Sequence, residues 1–323
     1  MNILVTSAGR RVSLVKSFQR ELKNIYPEAK VIAIDSEPLL SAACIVADDY
    51  FKVPRLDNPS YIQNLLELCI EHSIKLIIPT IDTELLELAR HKSIFEEKGV
   101  TIVISSLDLV IKCRDKREMH NFFSEKGVSI AKEYTKENFE LPIYIKPYDG
   151  SRSVDNYIIK DRKDLTKYHF NNKKLMFLEY LDHDEYEEFT CDLYYNKEHK
   201  LQCVVPRKRL EVRDGEVYKS LTKDNALIPY IKNKLGFIEG AIGCLTAQFF
   251  KHKNDDKKIY GIEINPRFGG GYPLTYLCGA NYTKWIIDEY IANETIENKF
   301  DVWERNLLMI RYDDEILVHE YKG

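Results

Sequence analysis

The sequence predicts an α/β domain with a doubly wound parallel sheet at its N-terminus, followed by an α+β region. Two observations carry this. Over the first hundred residues short apolar runs alternate with stretches of helical spacing, and strands alternating with helices imply a parallel sheet covered on both faces. Beyond residue 140 apolar strands follow one another with few helices between them, and Asp214-Gly215 supplies a hairpin signal. A chain of 323 residues has room for two or three modest domains and a sizeable core.

The first strand is Asn2-Ile3-Leu4-Val5-Thr6. Residues 7–11 form a loop, and Val12, Val15, Phe18 and Leu22 then keep helical spacing. Strands follow over 31–35, 76–79 and 101–104, with helices over 65–72 and 83–91. Sheets of this kind bind ligands at the carboxyl ends of their strands, which singles out Ser7, Arg10 and Asp82. Arg10 suits a substrate carboxylate. Asp82 either holds an amine or caps the helix that begins beside it. The first loop has one glycine, Gly9, where a dinucleotide fingerprint needs GxGxxG, so it marks a tight turn. Asp35 reads as a turn or cap residue ahead of a ribose-binding acid.

Residues 108–123 read as helices, with apolar Met119, Phe122 and Phe123. In the strand Leu141-Pro142-Ile143-Tyr144-Ile145-Lys146-Pro147, Lys146 faces away from Ile145. The loop 148–154 includes small residues, Gly150, Ser151 and Ser153, which free backbone N–H groups to line an anion. Strands follow over 154–160, 175–180, 188–194 and 201–205, then strand, turn and strand over 206–217. Residues 228–234 are helical, continuing towards Gly243, and 273–290 form a helical region in which Trp285 and Ile286 are core. Residues 307–312 and 315–320 read as edge strands.

The most informative stretch is Glu263-Ile264-Asn265-Pro266-Arg267-Phe268-Gly269-Gly270-Gly271-Tyr272, which continues the apolar run Ile259-Tyr260-Gly261-Ile262. Strand side chains alternate between faces, so Glu263, Asn265 and Arg267 point one way, with Ile262 and Ile264 behind them. A carboxylate, an amide oxygen and a guanidinium on one face suit Mg²⁺ and phosphate together. The glycines allow a ligand close to the backbone.

Composition narrows the alternatives. A net charge of −4 offers no broad basic field for nucleic acid. Seven cysteines form no CxxC pair, and eight histidines do not cluster, so neither zinc nor a disulfide framework is suggested. The first apolar run is only a strand long, not a signal peptide, and no run approaches membrane-spanning length. A cytoplasmic location is expected.

The 263–272 run resembles the metal-binding strand of the ATP-grasp superfamily, nearest its carbamoyl-phosphate-synthase-like branch, with Gln248 in Ala247-Gln248-Phe249-Phe250 matching a further metal-side residue. The resemblance covers nearly the whole chain up to about Tyr290. It implies a doubly wound N-terminal domain over 1–110, a lid over 111–182 and a metal-bearing lobe over 183–323, the last two forming a two-lobed ATP-grasp fold. Gln248, Glu263 and Asn265 would hold Mg²⁺, with Mn²⁺ as a substitute. Lys116 and Lys146, thirty positions apart, would meet nucleotide phosphates, with Ser151 and Arg152 in the covering loop. Glu179, Tyr180 and Leu181 would form the adenine hinge, and Glu188 would accept the ribose hydroxyls unless the register favours Glu187. Arg267 would stabilise the transferred group with Arg209, whose face Arg207 shares, and Lys219 stands near. Arg10, Asp82, Gly270 and Tyr272 would meet the acceptor substrate.

The implied activity is ATP- and Mg-dependent joining of a small-molecule carboxylate (amino acid or sugar acid) to an amine through an acyl phosphate. Ligases of this type often form homodimers. With no internal repeat, carbamoyl phosphate synthesis itself is disfavoured. A carboxylate kinase of similar build and an ATP-binding regulatory module without chemistry are the alternatives. The complete oxygen-donor set favours the enzyme.

Overall fold

The computed structural model describes residues 1–150, 154–213 and 216–321. Strands Asn2–Val5 (β1), Val31–Asp35 (β2), Asp49–Lys52 (β3), Ile74–Ile78 (β4) and Thr101–Ile102 (β5) form a parallel sheet in the order β3-β2-β1-β4-β5. Helices Val12–Ile25 (α1), Ala42–Val46 (α2), Tyr61–Glu71 (α3), Asp82–Arg90 (α4) and Lys92–Glu96 (α5) connect them. Alternation within β1 feeds two cores. Ile3 and Val5 pack with α1, whereas Leu4 joins Leu65 and Leu85 on the other face. This is the doubly wound arrangement that the sequence predicts. The order reverses between β1 and β4, which places residues 7–11 and 80–82 at the crevice where such sheets bind ligands.

Helices Leu107–Arg114 (α6) and Lys116–Glu125 (α7) lead to a four-stranded antiparallel sheet. It contains Glu133–Tyr134 (β6), Ile143–Pro147 (β7), Tyr157–Ile159 (β8) and, after helix Lys167–Asn171 (α8), Leu175–Glu179 (β9), in the order β6-β9-β7-β8. The third sheet is antiparallel and six-stranded. Its strands are Tyr186–Tyr195 (β10), Leu201–Arg213 (β11), Glu216–Thr222 (β12), Gly243–His252 (β13) and Ile259–Asn265 (β14), with helix Leu227–Leu235 (α9) between β12 and β13. Helices Tyr272–Leu277 (α10) and Tyr282–Tyr290 (α11) precede Leu308–Ile310 (β15), giving the order β14-β13-β10-β11-β12-β15.

Two packing contacts place the site. Phe18 of α1 meets Phe268 edge-on, ring centroids 6.0 Å apart, in a core shared with Tyr282, Trp285 and Ile286. The glycine run after β14 is thereby pressed against the N-terminal sheet. Met119 and Phe123 of α7 pack on Phe189, Phe249 and Ile264 of the third sheet, and the start of α7 is held beside the end of β7, where Lys116 N donates to the Tyr148 carbonyl at 2.9 Å.

Some elements differ from expectation. The edge strand β3 and the short α2 carry too little apolar periodicity to be read beforehand; β3 alternates only between half-buried and exposed. Helix α3 starts four residues earlier than expected, at Tyr61. Among the described residues, 315–320 pair with no strand, and Leu308–Ile310 alone adds to the sheet edge beside β12. Helix α9 ends at Leu235 rather than continuing towards Gly243. The expected turn at Asp214-Gly215 lies outside the described residues; the strands around it pair antiparallel. No helix among the described residues is long and apolar enough to cross a membrane.

Gly261 lets α7 approach β14. A Cβ there would lie 2.7 to 3.0 Å from ring atoms of Phe123, while its N–H donates to the Ser129 carbonyl at 2.8 Å. Gly261→Ala should cost about 1–3 kcal/mol through overpacking, read as a shifted midpoint in chemical denaturation.

Candidate active site

The three sheets enclose a cleft of about 770 Å³. On β14 the alternation holds only from Glu263 onwards: the register with β13 shifts at Ile262, which lines the cleft and does not lie behind with Ile264 as expected, because an extra residue in one strand resets the side-chain period. Glu263 and Asn265 line the cleft, and Ile264 is fully buried behind them. Gln248 of β13 is the cross-strand partner of Glu263 and lines the same cleft. Asn265 Nδ2 donates to Glu263 Oε1 at 3.0 Å, which leaves Asn265 Oδ1 as an acceptor. One carboxylate and two amide oxygens make a hard donor set with one negative charge. It suits Mg²⁺ that brings phosphate oxygens of its own. Among the described residues no group of three His, Cys, Asp or Glu could hold a metal by itself.

Asp115 caps α7, accepting from Arg117 N at 2.9 Å, and so presents Lys116 at the first helical position. Lys116 Nζ donates to the Gly150 carbonyl at 2.6 Å and lies 3.8 Å from Glu263 Oε2. Lys146, on β7, is 6% exposed. Burial pushes its ammonium down to about 8; Lys116 acts in the same direction and Glu263 opposes it. Glu179 ends β9, its Oε2 accepting Lys132 N–H at 3.1 Å, and Tyr180 and Leu181 follow along the cleft. Ser151 and Arg152 lie outside the described residues.

Register sets Glu187 and Glu188 on opposite faces of β10. Glu188 lines the cleft and accepts from Arg209 Nη1 at 2.5 Å, whereas Glu187 pairs with Lys208 at 2.6 Å. Arg10 lines the cleft at the N-terminal sheet. Asp82 is the first residue of α4, one position inside the N-cap Ile81. Its carboxylate accepts from Arg267 Nη2 at 2.6 Å, across the domains. Asp35 is the last residue of β2, not a turn residue as expected; its carboxylate accepts from the backbone N–H of Gly9 at 3.1 Å and of Glu37 at 3.3 Å, tying the two strand ends together. Gly9 has φ +48, a left-handed conformation that favours glycine.

Gly270 lines the cleft, and its carbonyl accepts from Arg311. Tyr272 turns the other way. It is 1% exposed, packs between Phe268 and Tyr282, and its hydroxyl accepts from Thr283 N–H. Its position in the core, away from the cleft lining, corrects the expectation of a substrate contact. Lys219 also stands apart, paired with Glu211 at 2.6 Å.

Beneath the glycine run lies a pair that was not anticipated. Arg207 is fully buried, with Nε and Nη2 each 2.9 Å from the Asp192 carboxylate. Asp192 also accepts from Thr275 Oγ1 at 2.5 Å and Thr246 Oγ1 at 3.3 Å. Arg207 Nη1 has no partner among the described residues, and a Cβ on Gly271 would lie 2.0 Å from it. A period of two running from Glu188 through Thr190 to Asp192 was the available sequence signal. Arg311 and Gly270, 41 positions apart, gave none. Asp192→Ala should destabilise the protein by about 3–5 kcal/mol, because it strands a buried guanidinium; denaturant titration measures it.

Residues 3–103 match the model of the PylC-like N-terminal domain, and residues 171–307 match that of ATP-grasp in the biosynthetic pathway with Ter operon. Comparison with curated proteins finds no match. Similar solved structures include the biotin carboxylase domain of Hydrogenobacter thermophilus 2-oxoglutarate carboxylase, in complex with MgADP, ADP and bicarbonate. That likeness has a TM-score of 0.71 at 17% identity and covers 95% of this chain and 73% of that one. Biotin carboxylase from Campylobacter jejuni gives 0.71 at 14% identity, over 95% and 74% of the two chains. N5-carboxyaminoimidazole synthetase from Staphylococcus aureus gives 0.67 at 16% identity, over 92% and 78%. At these identities the likeness is one of fold. With the matched family models and the oxygen-donor strand, it leads to one conclusion: the chain belongs to the ATP-grasp superfamily.

Proposed function

We propose that the protein is an ATP- and Mg²⁺-dependent carboxylate–amine ligase acting on a small molecule, an amino acid or a sugar acid, through an acyl phosphate. The observation that carries this reading is the convergence of Gln248, Glu263 and Asn265 with Lys116 and Lys146 on one cleft. In this reading residues 1–110 supply part of the acceptor site, 111–182 the lid, and 183–323 the lobe that holds the metal.

Phosphoryl transfer needs positioning and charge neutralisation more than covalent help from the protein. Gln248, Glu263 and Asn265 would hold a Mg²⁺, which when bound would neutralise charge on the phosphate oxygens. Lys116 leaves the Gly150 carbonyl and Glu263 to meet the phosphates, and Lys146 meets them from the lid. The backbone of 179–181 faces the base, and Glu188 faces the ribose once Arg209 swings from it. Arg267 and Arg209 stabilise the transferred group. A carboxylate oxygen of the substrate attacks the γ-phosphorus and ADP leaves. The amine then attacks the acyl carbon, loses a proton, and phosphate leaves. The lid keeps water from the acyl phosphate. Arg10 and Asp82 face the acceptor end, where Arg10 holds a carboxylate and Asp82 an amine.

Glu263→Ala and Lys146→Ala should each reduce ATP-dependent product formation to background while leaving the melting temperature close to that of the parent. The assay screens pairs of carboxylates and amines for ADP and phosphate release. A Glu263→Ala protein that turned over at the parental rate would refute the mechanism, and absence of any heat with Mg–ATP would refute the nucleotide site. Lys146 gives a second readout. Burial holds it at about 8, and phosphate oxygens beside it would favour the ammonium, so binding should raise the value. Mg–ATP binding at about pH 9 should then take up most of a proton, and at about pH 7 almost none, since the lysine is already charged there. Calorimetry in buffers of different ionisation enthalpy reads the difference, and Lys146→Met should remove it.

A further inference from the structure

Helix α7 carries two polar side chains into the cleft. Lys116 is one; His120 is one helical turn further on the same face. The imidazole is 3% exposed and lines the cleft together with Lys146, Leu178 and Glu179. Its Nδ1 is hydrogen-bonded to Glu133 Oε1. Glu133 stands on β6 opposite Leu178, the residue before Glu179 of the hinge, and its charge reaches Lys146. The pair therefore sits where the base-facing segment and the lid lysine come together.

An ionised carboxylate can only accept, so Nδ1 of His120 carries the proton. In the neutral ring Nε2 is then a bare acceptor. Among the described residues no donor reaches it, and it is not among the sealed, unpartnered atoms. An acceptor fixed at a nucleotide cleft pairs with an N–H or O–H donor. Phosphate oxygens offer none at neutral pH. On the base edge of an adenine nucleotide the 6-amino group does.

We propose that His120, held in one tautomer by Glu133, accepts a hydrogen bond from the 6-amino group of adenine and selects adenine over 6-oxopurine nucleotides. The proposal rests on the nucleotide reading of the cleft. A 6-oxo group would set a lone pair against Nε2, so selection acts by rejection as well as by attraction.

Calorimetric titration with MgADP and MgIDP tests this without a second substrate. The wild-type protein should bind ADP at least about tenfold more tightly than IDP. His120→Ala should lower that ratio about fivefold or more, with the loss on the ADP side. His120→Gln should keep part of the preference, because an amide oxygen can accept in place of Nε2. Glu133→Gln should also lower the ratio, since its amide can donate to Nδ1 and release the tautomer. These last two variants carry the comparison if His120→Ala proves unstable. A His120→Ala protein that weakens both nucleotides equally, as a sugar or phosphate contact would, overturns the proposal. So does one that alters neither, or a Glu133→Gln protein with the parental ratio. If wild-type protein bound no MgADP, the nucleotide reading itself would fall, and the proposal with it.

Discussion

Arg207 and Asp192 form an ion pair from which water is excluded, and the floor of the cleft is arranged around it. The pair spans β10 and β11. Thr246 of β13 and Thr275 of α10 complete the coordination of the carboxylate. A buried ion pair adds little net stability, but losing one partner is costly. The chain is thus constrained to keep all these elements in one register. Gly271 is part of the same constraint, because any side chain there would collide with the guanidinium. The glycine run is held low, and Arg267 before it is held over the crevice of the N-terminal sheet.

Above that floor the cleft pairs its own charges. Lys116 lies beside Glu263, Arg209 bonds Glu188, and Arg267 bonds Asp82. Each pair joins a cation suited to phosphate or acyl phosphate with an anion suited to metal, ribose or amine. In the proposed function, binding is then an exchange of partners. Lys146 takes no part. It is buried without a hydrogen bond among the described residues, and its ammonium is correspondingly weakened.

Coupling between domains follows from two contacts of different character. The Phe18–Phe268 contact is apolar and lies in a shared core, so it fixes the N-terminal sheet against the glycine run. The Arg267–Asp82 bond is polar and borders the cleft. Asp82 shows why a motif can mislead about its partner. At the start of a helix it has the form of a cap, yet the guanidinium of a residue 185 positions away takes the carboxylate. A charged partner across a cleft competes well with a neutral backbone N–H.

The sequence by itself determined which side chains share a face. Period two put Glu263 and Asn265 together on β14 and, read onwards from Glu188, reaches Asp192. The alternation of strands and helices set the parallel sheet, and its switch point exposed residues 10 and 82. These are local consequences of backbone geometry. Tertiary structure alone decided which face meets the cleft and what each side chain finds there. Glu188 faces inward rather than Glu187, Arg207 is buried where Arg209 is reachable, Tyr272 turns into the core, and His120 of α7 meets Glu133 of β6. The reason is that a strand's pleat is written in a few consecutive residues. The partner of a charge, by contrast, depends on registers between strands far apart in the chain, and no local pattern encodes those.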